Sequence, residues 1–341
     1  GIKDGTVVHM EPTFPEEKQK RWRRKHTISA VLLAGAVLTL WQPSKYVLLE
    51  PGPSRPVTGR VEAVSKDVKT YNSSGQFNLV TVFVSRATWW EYAISKTPWS
   101  DAKAVELPMG RQSKTSSKAD MVSSEQTASM VAENYVFGEV KSMRPDGALV
   151  VEVVSGMPAE SSGVLEGDLV LKVDGKTVLT AKDAASAVAS GTNRIVLTVK
   201  RDGEEREIRV SVEDGKIGVR ISDHYDGKPI LTVDNGEVGG GSAGLAMTLS
   251  FIDYQTPGDL TGGDILAATG VINIDGSVEH IDGVNFKALG AIKAGAKVMF
   301  VPRGQAEEIT ATGIKIVEVS NVQEAIDFLC KRGSNDEVCA R

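Results

Sequence analysis

The sequence predicts an α+β protein with at least two folded domains, preceded by one N-terminal transmembrane helix. Its 341 residues are enough for two domains of ordinary size. Segments rich in β-branched residues occur in the same chain as Ala-rich segments of helical pattern, which is typical of a mixed fold. A charge-free apolar run at 27–41 follows a block of basic residues, the pattern of a membrane anchor.

The composition excludes several classes of protein. Hydrophobic residues make up 41% of the chain and charged residues 24%, which is too polar for many membrane spans. The formal net charge of −5 leaves no basic excess, so we expect no nucleic-acid partner. Two cysteines and four scattered histidines show no metal-ligand spacing, and no Walker A sequence is present. We therefore expect neither a metal nor another cofactor.

The N-terminal segment predicts a signal anchor. The basic tail 1–26 has six Lys and Arg side chains between 18 and 25, and the positive-inside rule places this tail in the cytoplasm. The apolar run 27–41 reaches only about 22 Å as a helix, but Trp22 and Trp41 flank it as interfacial aromatics do. A cleaved signal peptide is the alternative. The predicted location is the cell membrane, with a single pass and the rest of the chain extracytoplasmic.

The segment after the anchor carries no obvious chemistry. Three prolines between 51 and 56 predict a stiff spacer. The polar stretch 110–124 predicts a loop. A capping-box candidate at Ser123 then predicts a helix over 123–136 (SSEQTASMVAENYV).

Residues 136–213 predict a compact β-rich domain with one amphipathic helix. Its sequence GMPAESSGVLEGDLVLKVDGKTV resembles the PDZ domain of bacterial proteases. The resemblance implies a groove that captures an extended peptide as an added strand. It also suggests a peptide-carboxylate loop at Gly147, Ala148 and Leu149. A small domain that only packs is the alternative.

A glycine-rich run at 235–244 contains one serine, Ser242, directly before an apolar helix pattern. Small neighbours would let a substrate carbonyl approach the hydroxyl closely. Backbone N–H groups at a helix start could donate to an oxyanion, which makes Gly240, Gly241 and Ala243 the candidate oxyanion and substrate loop. By itself such a turn more often binds phosphate or has no chemistry.

Lys287 lies near the start of an Ala-rich helix pattern, four residues after Gly283. Burial among small apolar groups would remove the solvation of its ammonium group and lower its pKa. Such a lysine can act as a neutral base. A solvated surface lysine is the alternative.

Residues 231–329 resemble the proteolytic domain of the Lon peptidase family. GGGSAGLAM is similar to the family's nucleophile motif and matches Ser242 to the catalytic serine. DLTGGDILAATGVINIDGSVEHIDGVNFKALGAIKAGA is similar to the lysine motif and matches Lys287 to the catalytic lysine. Thr261 falls on the threonine that hydrogen-bonds this lysine in the family. Gly241 replaces the usual Pro before the serine, and Gly239 stands where many Lon domains have an acidic residue.

The order of anchor, PDZ domain and Lon-type domain is similar to that of the membrane-anchored PDZ-Lon proteases of bacteria. This resemblance implies an N-terminal part of the protease domain at 57–135 and an inserted PDZ domain at 136–213. A Lon-type Ser-Lys proteolytic domain follows at 214–333, and a polar C-terminal tail occupies 334–341.

The expected function is that of an ATP-independent, membrane-anchored serine endopeptidase. Its Ser-Lys dyad would cleave exported peptides or unfolded proteins that the PDZ domain presents. A Ser-His-Asp protease using His224 or His280 is one alternative, and a non-catalytic anchored PDZ scaffold is another. Lon domains often form rings, so a homo-oligomer is expected by analogy. Cys330 and Cys339 could form a disulfide or remain free thiols.

Overall fold

The computed structural model describes residues 27, 39–64, 68–106, 114–236 and 238–340. The chain divides into a smaller unit, Gly1–Leu48 with Val84–Leu107, and a larger unit, Leu49–Phe83 with Pro108–Arg341. Within the described residues, no helix is long and apolar enough to cross a membrane. The predicted tail 1–26 and most of the predicted anchor 27–41 lie outside the described residues.

The secondary structure of the described residues mixes short strands with seven helices. The strands are β1 (Pro43–Pro56), β2 (Val61–Ala63), β3 (Gln76–Thr88), β4 (Lys103–Glu106), β5 (Met143–Val153), β6 (Leu169–Val173), β7 (Lys176–Thr177), β8 (Arg194–Arg201), β9 (Glu204–Ser211), β10 (Val219–Gly227), β11 (Leu231–Val233), β12 (Ile265–Ala268), β13 (Val271–Ile272), β14 (Val278–Glu279), β15 (Val298–Pro302) and β16 (Lys315–Val319). The helices are α1 (Trp89–Ile94), α2 (Lys114–Phe137), α3 (Pro158–Ser161), α4 (Ala181–Ser190), α5 (Gly244–Gln255), α6 (Val284–Lys293) and α7 (Val322–Lys331).

The larger unit is built on a sheet in which β16, β15, β12, β3 and β1 are neighbours in that order. The pairs β16–β15, β15–β12 and β12–β3 are parallel. Parallel strands are covered on both faces and therefore read as continuous apolar runs, which explains why all five residues of β15 are buried. Helix α5 is buried along almost its whole length in the main core, together with one side of α2 and α7.

Two local predictions for the first third of the chain are wrong. The expected spacer at 51–56 is the end of β1, because a proline's fixed φ suits an extended strand and its missing N–H is tolerated where no ladder bond is required. Helix α2 begins at Lys114, nine residues before the predicted start at Ser123. Residues 114–137 contain no Gly or Pro, so their polar character does not interrupt the helix.

The sheet of the predicted PDZ domain has the strand order β10-β5-β6-β8-β9, with β7 paired to β6. It encloses a separate core that includes Val150, Val170 and Val199. The sheet extends beyond the predicted boundary at 213, because β10 (Val219–Gly227) pairs antiparallel with β5 along its whole length.

Residues 334–340 of the predicted polar C-terminal tail are bonded to the rest of the fold. Cys330 and Cys339 form a disulfide, and Val338 is buried. The buried Asp336 accepts a hydrogen bond from Thr256 Oγ1 at 2.9 Å, at the end of α5. This segment therefore packs against the core.

Candidate active site

The nucleophile turn, which we define as residues 239–244, depends on glycine at two close approaches. A Cβ on Gly244 would lie 2.7 Å from Ile272 Cγ2 and 2.9 Å from Ser124 Oγ. A Cβ on Gly239 would lie 2.9 Å from Ser117 Cβ, which explains why an acidic side chain does not fit there. The chain then makes a 3₁₀ turn, Gly241–Ala243, and continues directly into α5.

Ser242 is held in place by the residues that follow β12. Its carbonyl oxygen accepts hydrogen bonds from Gly270 N at 2.9 Å and from Thr269 Oγ1 at 3.1 Å. Leu245 N donates back to Gly270 O at 3.1 Å. The residues directly after the buried strand β12 therefore fix the backbone of the turn at Ser242.

Lys287 is the partner of the Ser242 hydroxyl. It lies one turn into α6 and is only 5% exposed. Its Nζ donates to Ser242 Oγ at 2.8 Å and to Thr269 Oγ1 at 3.4 Å. The geometry satisfies the requirement that a nucleophile and its base lie within hydrogen-bonding distance.

Burial lowers the pKa of Lys287 to about 8, while the negative charge of Asp282 opposes this decrease. The cause is the loss of water around the ammonium group, since burial penalises the charged form. At mildly alkaline pH a large fraction of Lys287 is therefore neutral and able to accept a proton.

Thr261, expected to orient the lysine, lies elsewhere, and this prediction is wrong. Its Oγ1 donates to a carboxylate oxygen of Asp259 and accepts from Gly263 N at 3.2 Å. It packs against Gly75, where a Cβ would lie 2.3 Å from Thr261 Oγ1. Thr269 contacts Lys287 instead. Its position directly after the apolar strand β12 was the sequence feature that could have indicated it.

The predicted oxyanion loop is only partly free to donate. Gly240 N–H donates to Ser117 O at 2.7 Å, so this group is not available to donate to an oxyanion, and the place of Gly240 in the substrate loop stays a prediction. Gly241 O accepts from Ser124 Oγ at 2.9 Å, which fixes the peptide plane beside the serine. Ala243 is buried. The first N–H groups of a helical turn have no partner within it, which leaves those of Gly241, Ser242 and Ala243 as candidates.

The two histidines of the alternative protease mechanism lie apart from Ser242. His224 is on β10 and its Nδ1 lies 3.7 Å from Asp146 Oδ2. His280 lies beside Gly304. Among the described residues, the hydroxyl of Ser242 has Lys287 as its hydrogen-bonding partner.

The predicted PDZ groove residues lie in the interior of the sheet, so that prediction is wrong. Gly147, Ala148 and Leu149 pair with β10 on one side, and Ala148 and Leu149 pair with β6 on the other. A strand with two neighbours has no free N–H and C=O groups to bind a peptide.

The two edge strands of this sheet are β10 and β9, and α4 lies beside β10. Ala181 N, at the start of α4, donates to Asp223 Oδ1 on β10 at 2.6 Å. A small apolar cavity of about 20 Å³ lies at this place. Its lining includes Ala184, Val188, Ile217, Val219 and Ile221. Gly218, with φ of 82°, makes the turn before β10, and a Gly between two apolar residues was the overlooked sequence feature.

Comparison with known proteins identifies both domains. Residues 220–331 match the model of the Lon protease (S16) C-terminal proteolytic domain. Residues 122–212 match the model of a PDZ domain.

Two curated relatives and one solved structure are similar to parts of the chain. A probable periplasmic serine endoprotease DegP-like of Chlamydia trachomatis is 42% identical over 88 residues, which is 22% of this chain and 18% of that protein. A Lon protease of Desulfatibacillum aliphaticivorans is 32% identical over 94 residues, 26% of this chain and 11% of that protein. The PDZ domain of an SdrC-like protein from Listeria monocytogenes is 19% identical, with a TM-score of 0.20, over 22% of this chain and 87% of that domain.

The chain thus spans less than a fifth of the length of these two curated relatives. What it shares with them are domains, not whole-protein architecture. It carries a PDZ domain and the proteolytic domain of the Lon serine peptidases.

Proposed function

We propose that this chain is an ATP-independent serine endopeptidase that hydrolyses peptide bonds with a Ser242–Lys287 dyad. The observation that carries the proposal is the 2.8 Å hydrogen bond between Ser242 Oγ and the buried Nζ of Lys287. A lysine whose pKa is lowered to about 8 supplies the neutral base that a serine nucleophile needs.

In the proposed reaction neutral Lys287 accepts the proton of the Ser242 hydroxyl as the oxygen attacks the substrate carbonyl. The lysine then gives this proton to the leaving amine, and an acyl-enzyme remains. Water that loses a proton to the same lysine hydrolyses the ester. Thr269 holds the Nζ in position. The N–H groups of Gly241, Ser242 and Ala243 are the candidates to stabilise the oxyanion.

The PDZ domain is proposed to present exported peptides or unfolded proteins to this site. Helix α2 supports the idea because it contacts both regions. Its Ser117 and Ser124 bond the nucleophile turn. On its other side, Thr127 Oγ1 lies 2.5 Å from Tyr225 Oη on β10, and Arg220 Nη2 of β10 lies 3.6 Å from Asp120 Oδ2.

The membrane anchor at 27–41 remains part of the proposal, with the basic tail in the cytoplasm and both domains outside. Its support is the basic block followed by a charge-free apolar run. A homo-oligomer is likewise a proposal, and sedimentation of the detergent-solubilised full chain tests it.

The dyad is tested by casein cleavage without ATP, using the full chain, Ser242→Ala and Lys287→Met. We expect cleavage by the wild type and a loss of at least about 10²-fold in each variant, because both proton transfer and attack require these groups. Lys293→Met, an exposed lysine of the same helix, and His280→Ala are matched controls that retain activity. Full activity of Lys287→Met would contradict the dyad. No cleavage by any form, if labelled peptides still bind, would support the non-catalytic scaffold.

The groove is tested with fluorescent peptides that end in a free apolar residue. Ile221→Thr on β10 should weaken binding about tenfold, because the apolar wall of the cavity is lost. Leu149→Thr on β5 is the matched control, and we expect unchanged affinity since β5 has no free edge. The reverse result would restore the Gly147–Leu149 prediction.

A further inference from the structure

The chain places all of its tryptophans before residue 100. Trp22, Trp41, Trp89, Trp90 and Trp99 are the five in the whole sequence. The four in the described residues are far from buried, with exposed fractions of 67% for Trp41, 41% for Trp89, 49% for Trp90 and 82% for Trp99. A soluble surface seldom exposes so many large aromatic side chains in so short a segment.

These tryptophans belong to the smaller unit, where α1 carries two of them. A capping box of Thr88 and Glu91 starts this helix, and none of its residues is buried. Trp90 and Ile94 are four residues apart, so they share one helix face, and both are exposed.

The other side of α1 has partners within the smaller unit. Trp89 and Tyr92 pack on Tyr46, with ring centroids 6.2 Å and 4.3 Å from it. Helix α1 therefore contacts Tyr46 through Trp89 and Tyr92, and its face with Trp90 and Ile94 remains exposed.

Helix α1 starts beside the end of the predicted anchor. Trp89 N donates to Gln42 O at 3.3 Å, so the backbone next to Trp41 is joined directly to the first residue of α1. Trp41 is the last residue of the charge-free run 27–41. If the run 27–41 enters a bilayer, α1 therefore starts close to the surface of that bilayer.

Two lysines lie against the aromatic cluster. Lys45 and Lys96 lie 5.4 Å and 5.1 Å from the ring centroids of Tyr46 and Tyr92. Lys45 also pairs with Glu106 at 2.6 Å, so Lys96 is the lysine that this proposal directs toward the headgroups. Tryptophan concentrates at the headgroup level of bilayers, and lysines beside it reach toward anionic headgroups.

We propose that Trp41, Trp90, Ile94 and Trp99, which we call the aromatic face, lie in the headgroup region of the bilayer that holds the anchor. The proposal rests on the proposed membrane anchor and adds a second contact to it. In this proposal the smaller unit contacts the lipid surface directly, in addition to its connection to the membrane through the anchor.

The test uses a fluorescent label whose emission a lipid nitroxide quenches. The native cysteines are bonded to each other, so an introduced cysteine is the single free thiol for an NBD label. The variants are Trp41→Cys, Trp90→Cys and Trp99→Cys, with Leu165→Cys, a 52% exposed position of the PDZ domain, as the matched control. Each full chain is reconstituted into vesicles of phosphatidylcholine and phosphatidylglycerol, with or without lipid that carries a nitroxide near the headgroup.

We expect the nitroxide to reduce emission by about half at 41, 90 and 99, and to leave 165 unchanged. If the label at position 41 is quenched and the labels at 90 and 99 are as unaffected as the one at 165, the aromatic face is wrong and the proposed anchor is retained. No quenching at 41 would overturn the anchor and the proposal together. Emission at 99 that rises with protein density and ignores the nitroxide would assign the face to a second copy of the chain instead. Casein cleavage by each labelled variant verifies its fold.

Discussion

Two buried threonines lie on either side of strand β12, Thr261 four residues before it and Thr269 directly after it, and they have different surroundings. On the amino side of β12, Thr261 lies in a turn, where its own N–H and hydroxyl both donate to the carboxylate of Asp259. At the carboxyl end Thr269 lies between Ser242 O at 3.1 Å and Lys287 Nζ at 3.4 Å. Both side chains are almost completely inaccessible to solvent.

The difference lies in which groups the topology brings to each end. The carboxyl ends of parallel strands border a crevice, and β12 runs parallel to both β3 and β15. At that edge the chain leaves β12 toward β13 and the nucleophile turn. At the amino end the turn bonds to its own aspartate. Thr261 and Thr269 are therefore the same residue type and are equally buried. They differ in their position relative to β12, which places Thr269 beside Ser242 and Lys287 and leaves Thr261 in a structural turn.

The largest expected effect comes from removing the two hydroxyls separately. Thr269→Val keeps the shape but deletes the contacts to Ser242 O and Lys287, so kcat/KM should fall by about 10–100-fold. Thr261→Val should leave kcat/KM near the wild-type value and reduce the free energy of unfolding by about 1 kcal/mol. A fluorogenic peptide assay and urea unfolding measure the two quantities.

Thr269→Ser serves as the matched control because it restores the hydroxyl, and we expect most of the activity to return. If Thr261→Val instead lost the activity and Thr269→Val kept it, the assignment of Thr269 as the threonine that positions Lys287 would be wrong. Equal loss of stability in both variants with no loss of activity would also contradict it.

The pH dependence of kcat/KM reports the protonation state of Lys287. Burial lowers the pKa of Lys287 to about 8, and only its neutral form accepts the serine proton. The rate should therefore rise about tenfold per pH unit below pH 8 and level off above it. Stability should rise with pH between 8 and the ordinary lysine value of 10.5, where the unfolded chain binds the extra proton.

Lys287→Met is the control for the stability profile, since it removes this titration and should flatten the rise. A wild-type rate that stayed constant from pH 5 to pH 9 would show that another group, or none, acts as the base.

The proposed nucleophile and base could be predicted from the sequence, whereas the threonine beside them could not. Ser242 and Lys287 stand in motifs that resemble those of the Lon peptidase family, and this resemblance selected them, because residue type and small neighbours alone left other interpretations open. Thr261 and Thr269 are both threonines followed by glycine, so composition does not separate them. Only the path of β12 decides which one meets the lysine.

The prediction of the peptide-carboxylate loop failed for a related physical reason. Gly147–Leu149 was selected by its position just before the first strong strand of the domain, but strand neighbours are set by topology. Strand β10 follows the rest of the domain in sequence and still occupies the edge beside α4. Pairing between distant segments therefore determines which strand lies at the edge beside α4, and the local pattern does not show it.

The amino end of β12 has its own pH dependence, which Asp259→Asn tests. Burial alone would raise the pKa of Asp259, but hydrogen bonds from Ser74 and Thr261 outweigh it and hold the pKa below its ordinary value of 3.8. This contribution to stability is present above that value and is lost as the pH falls through the folded-state pKa. Asp259→Asn should therefore lower the Tm at pH 7 much more than at pH 3, with kcat/KM at pH 8 retained. A Tm loss that is equal at both pH values would contradict the assigned role.

The smallest expected effect concerns Asp282, the carboxylate whose charge keeps the pKa of Lys287 from falling further. Asp282→Asn removes that charge, so the ammonium form is less favoured and the rise in rate should move to lower pH. The side chain is exposed and screened by salt, so the shift should be less than about half a pH unit. Added salt should move the pH–rate profile of the wild type to lower pH as well, because it screens the charge of Asp282. The same salt should move the profile of Asp282→Asn by a smaller amount. Asp275→Asn, an exposed carboxylate that does not act on Lys287, is the matched control. A shift to higher pH in Asp282→Asn would mean that the charge at 282 acts through the fold and not through the lysine.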